Sequence, residues 1–145
     1  MEYEVWENSW MELFEKVMMG EYETLSEDER IWYNIRSLID SVDDGGIMSY
    51  FNSPNGDYLE ETLEDLDKIG CDNVIEMLMS ICGLFPEDKP SKDVEKRNEV
   101  IDTWDMEGRD FSEFFEAVDE NFYEIEDELE TSLEPIIQRI LDVSK

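Results

Sequence analysis

The chain has 145 residues, about one domain's worth, and carries 41 Asp and Glu against 11 Lys and Arg, giving a formal charge of −30 with no histidine. Clustered cations for gripping phosphates are missing, an anionic membrane would repel such a chain, and imidazole chemistry is impossible, so direct nucleic-acid binding, membrane-surface binding and His-based catalysis are excluded. Disorder is excluded too: the chain is 41% hydrophobic, with 4 Trp, 6 Tyr and 7 Phe, so a core can form with the charge outside it.

The periodicity is helical almost throughout. Trp6, Trp10, Leu13, Phe14 and Val17 predict a first helix over residues 1–20, ended by Gly20. Trp6 and Trp10 either pack on the domain or, left exposed, form a homodimer contact. Ser26 and Glu29 read as a capping box, opening a helix that buries Ile31, Ile35, Leu38, Ile39 and Val42. Asp43-Asp44-Gly45-Gly46 stops it. A short apolar turn, Ile47 to Phe51, precedes the turn signal Asn52-Ser53-Pro54-Asn55-Gly56.

The next helix runs from Tyr58 or Leu59 to Ile69 and ends at Gly70; Val74 to Cys82 marks another. Leu84 to Lys92 is a loop, and Val94 to Trp104 a helix ending near Gly108. Phe111, Phe114, Phe115, Val118 and Phe122 predict one more. Ile125 to Leu141 is the last apolar set, which Pro135 kinks or divides by starting a separate helix. No stretch alternates as a strand would. The expectation is one all-α domain over 1–145, with six to eight helices and a core over 25–143.

No secretory signal or membrane span is legible, and Cys71 and Cys82 read as reduced thiols, so the expected compartment is the cytoplasm. No phosphate-binding loop, dinucleotide fingerprint or nucleophile elbow occurs. Asp40-Ser41-Val42-Asp43-Asp44-Gly45 begins like an EF-hand loop, but Val42 and Phe51 occupy positions that need oxygen ligands. No enzyme, cofactor or metal is expected.

The acids cluster. Between Arg36 and Lys68 there are nine and no base; between Arg109 and Arg139 there are eleven and no base. Helical spacing groups Glu60, Glu61, Glu64, Asp65 and Asp67 into one patch, and Glu113, Glu116, Glu120, Glu124, Asp127 and Glu128 into others. Such faces call for a basic protein surface as partner, or are simply solvated.

The segment Asp44-Gly45-Gly46-Ile47, with Tyr50-Phe51-Asn52-Ser53, resembles the Asn-Gly-Gly-Phe motif and the following aromatic pair and Asn-Ser of a helical bacterial family that includes acidic DNA-mimic proteins. Ile69-Gly70-Cys71, Phe85-Pro86, Asp93 with Arg97, and Asp119 with Phe122-Tyr123 match further motifs in order, over residues 25–140. Here Asp44, Ile47 and Ser49 replace the family's Asn, Phe and Gln. The motif residues Asp44, Gly45, Gly46, Tyr50, Phe51, Asn52 and Ser53 read as structural. The resemblance implies a DNA mimic that occupies the basic site of a DNA-binding protein, a transcription regulator for example. An acidic immunity or antitoxin protein facing a basic toxin is the alternative, as is a helical protein whose acidity is only solvation.

Overall fold

A computed structural model describes residues 2–143; residues 1, 144 and 145 lie outside it, as do the side chains of 2, 3 and 105. Among the described residues, seven α-helices follow one another: α1 (Glu2–Met18), α2 (Glu27–Gly45), α3 (Ile47–Phe51), α4 (Leu59–Lys68), α5 (Asp72–Cys82), α6 (Val94–Met106) and α7 (Ser112–Val143). Short 3-10 turns at Tyr22–Thr24, Pro54–Tyr58 and Pro86–Asp88 join some of them, and no strand occurs among the described residues. The chain is one compact all-α domain.

The second helix is the axis of the fold. It starts as its sequence says: the Ser26 hydroxyl accepts from the Glu29 N–H at 3.2 Å, and Glu29 Oε1 accepts from the Ser26 N–H at 2.9 Å. Ile35, Leu38 and Val42 lose all contact with solvent, and α2 packs against α3, α4 and α7. Each such side chain contributes about 1.5–3 kcal/mol. Trp10 is also buried, its ring centroid 5.6 Å from Trp32 and 5.9 Å from Tyr33. It is therefore not an exposed dimer contact; it anchors α1 to α2, and only Trp6 of the pair stays half-buried.

The two helices expected on either side of residue 123 are one. The seventh helix runs unbroken for 32 residues, about 48 Å at 1.5 Å per residue, and passes through Pro135 instead of restarting there. Pro135 faces solvent, where its missing hydrogen bond is least costly, while Leu133, Ile136 and Ile137 on either side are buried and hold the backbone helical.

Candidate functional site

The Gly-Gly motif is a structural joint. Gly46 has φ of 87°, which permits α2 to end and α3 to begin without a linker. The α3 terminus is capped from a distance: Asp119 Oδ1, on α7, accepts the Ile47 N–H at 2.7 Å. A Cβ on Gly46 would lie 2.6 Å from Asp119 Oδ2, so only glycine lets the carboxylate approach. Tyr123 donates its hydroxyl hydrogen to the Val42 carbonyl at 3.2 Å, closing the α2 end. Asp44 and Gly45 are exposed beside this joint, and Asn52 is exposed at the end of α3.

The following turn is gripped by Arg97 of α6, which is fully buried. Its guanidinium donates to the carbonyls of Phe51 at 2.8 Å, Ser53 at 2.7 Å and Ser91 at 2.7 Å. Its charge is met by Asp57 at 2.8 Å, not by Asp93, which instead caps α6 by accepting the Glu95 N–H. Tyr50 and Phe51 are completely buried, and the Tyr50 hydroxyl bonds Thr62 at 3.2 Å. The Ser53 hydroxyl returns to the Tyr50 carbonyl.

The two acidic stretches separate in space. On α4 the acids are largely matched by bases from elsewhere. Asp65 has no exposure at all: Arg30 reaches it at 2.7 Å, Asn34 donates to it at 2.8 Å, and Lys68 lies 3.5 Å away. This corrects its assignment to a partner-binding surface, because a buried carboxylate already satisfied by an arginine and an amide has nothing left to offer. Glu61 is bonded to Lys92 at 2.7 Å, Glu60 is within 3.6 Å of Lys92 and 3.8 Å of Lys89, and Glu64 is 4.0 Å from Arg30. Asp67 alone of that group is exposed without an ion pair among the described residues.

The other stretch keeps its charge bare. Glu113, Glu116, Glu120, Glu124, Asp127 and Glu128 are all exposed, and no described base forms an ion pair with any of them. Because α7 is continuous, these six acids form a single stripe about 22 Å long at 1.5 Å per residue, opposite the face that buries Val118, Phe122 and Leu129.

Sequence reading missed a carboxyl pair beside this stripe. Glu126 of α7 meets Asp43 at the α2 end, and one Glu126 oxygen is buried without a hydrogen-bond donor. Burial first, then the bond to Asp43 and the negative charges of Asp43, Glu130 and Asp127, push the Glu126 carboxyl up to about 8. It also missed a depression of about 600 Å³, walled by stacked Tyr22 and Tyr58 with Arg30 and Lys92 at its edge. Both cations there are already committed, to Asp65 and Glu61. The thiols are unpaired, and burial pushes Cys82 up to about 11.

These features define an acidic helical protein whose motif residues build the fold and whose longest helix carries a stripe of exposed acids without ion pairs among the described residues. The chain belongs to the DMP19-like family, whose model, described as DMP19-like protein, matches residues 23–140. No curated protein and no solved structure matches the chain. Among the described residues, no helix is long and apolar enough to cross a membrane.

Proposed function

We propose that this is a non-enzymatic, cytoplasmic interaction protein that mimics DNA, its α7 stripe occupying the basic surface of a DNA-binding protein such as a transcription regulator. The observation that carries this reading is the set of six exposed acids, without bases among them, on one face of a continuous helix. Neighbouring carboxylates on such a face lie about 5–6 Å apart. A duplex presents one charge per ~1.7 Å of axis from its two strands. A continuous helix bearing a row of carboxylates thus offers a negative field on a folded support, and long-range attraction steers a basic partner to it. Unpaired thiols favour a reducing compartment.

The test is affinity capture from the source cell with native mass spectrometry, followed by competition with duplex DNA at rising salt. Mimicry requires that DNA displace the chain from its partner and that salt weaken the complex. A partner that stays bound in excess DNA, with little response to salt, sinks the reading; capture of a basic toxin instead favours the immunity role. Changing Glu124, Asp127 and Glu128 together to Lys abolishes capture while helicity by circular dichroism stays intact.

A further inference from the structure

Where α1, α2 and α7 meet there is a groove of about 330 Å³. Its floor is apolar, built by the half-buried Trp6 with Leu133 and Ile137. Its rim is acidic: Asp40 on one side, Glu130 and Glu134, one turn apart, on the other. The single cation in it, Arg36, is spoken for. It donates to Glu7 at 3.2 Å and to Asp40 at 3.4 Å, and lies 4.7 Å above the Trp10 ring. No described base forms an ion pair with Glu130 or Glu134.

We propose that this groove receives a basic amphipathic segment of the partner protein, an apolar side chain seated against Trp6 with Lys or Arg on either side meeting Asp40, Glu130 and Glu134. An apolar floor rimmed by Glu130 and Glu134, which pair with no described base, and by Asp40, which shares Arg36 with Glu7, is complementary to that chemistry and to no anionic or neutral polar segment. Burial raises both the Asp40 and Glu130 carboxyls; Arg36 opposes the rise at each, and nearby acids add to it, Asp43 and Glu7 for Asp40, and Asp127, Asp43 and Asp40 for Glu130. An incoming cation relieves that crowding. Trp6 and Glu7 belong to α1, which precedes the residues matched by the family model. The groove therefore adds to the α7 stripe a selectivity element whose Trp6 wall comes from outside the matched region. This inference rests on the proposed function: the stripe attracts a basic partner, and the groove chooses among basic partners.

Two synthetic peptides of equal length and charge test it by titration calorimetry at moderate salt, one of leucine and lysine, the other of serine and lysine. The Leu/Lys peptide binds about tenfold tighter or better, as expected when one aromatic anchor is engaged. Trp6→Ala, or Glu130→Gln with Glu134→Gln, erases that preference; these side chains are half-buried or exposed, and circular dichroism checks the fold. The Lys substitutions at Glu124, Asp127 and Glu128 weaken both peptides and leave their ratio unchanged. Equal affinity for the two peptides, or an unaltered preference in both groove variants, overturns the groove while leaving the acidic stripe standing. Binding of neither peptide overturns both.

Discussion

Arg97 shows how much of this fold hangs on one side chain. It is buried, it satisfies three carbonyls, and its charge is balanced by Asp57. Arg97→Ala removes all three donors and leaves a poorly solvated carboxylate, so it is expected to cost about 3–5 kcal/mol, read from urea unfolding. Glu126 makes the opposite kind of prediction, one of pH. Its carboxyl is raised from 4.5 to about 8 in the folded chain, facing Asp43 across the helix interface with Glu130 and Asp127 on its own helix. The folded state therefore holds a proton that the unfolded chain releases. The stability that this proton supports is complete below 4.5 and is lost as pH rises through about 8. Thermal melts across that window should fall in midpoint with rising pH, and Glu126→Gln should flatten the slope. Neither residue announced its role in the sequence. Arg97 was visible as a motif position, but its carbonyl partners lie more than forty residues away in two of its three bonds, and Glu126 was one acid among many.

At the scale of the helix, local signals were legible wherever the deciding contacts are local. The Ser26–Glu29 capping box, the Gly46 joint and the turn after Phe51 all stand where their residues predict. The passage of the seventh helix through Pro135 was not legible, because Pro135 is a strong local stop and its override is tertiary: Leu133, Ile136 and Ile137 are buried on both sides of it. Replacing Pro135 with Ala restores a backbone donor at an exposed site. It is expected to stabilise the protein by up to about 3 kcal/mol, with a higher melting temperature and unchanged helix content. The same tertiary blindness hid Asp65. Helical spacing put it with Glu61 and Glu64, and only the packing of α2 on α4 brings Arg30 and Asn34 to it.

Over the whole molecule the charge of −30 acts as a single term. Its self-repulsion opposes folding, and salt screens it as the Debye length falls from about 30 Å at 0.01 M to about 8 Å at 0.15 M. The melting temperature should therefore climb over that range while affinity for a basic partner drops; parallel changes in the two would contradict the charge account. Sequence alone put base-free runs on helices, and it could not tell which run stays bare. Lys89, Lys92 and Arg30 fold onto α4 and neutralise much of the first, whereas no described base comes back to the six acids of the stripe.

Those six acids are all exposed, so the stripe is a ruler mounted on a chassis. Moving one carboxylate a helical turn along it shifts a charge by about 5.4 Å along the helix, at exposed positions. A ladder of such shifted variants would measure the charge spacing that a partner reads.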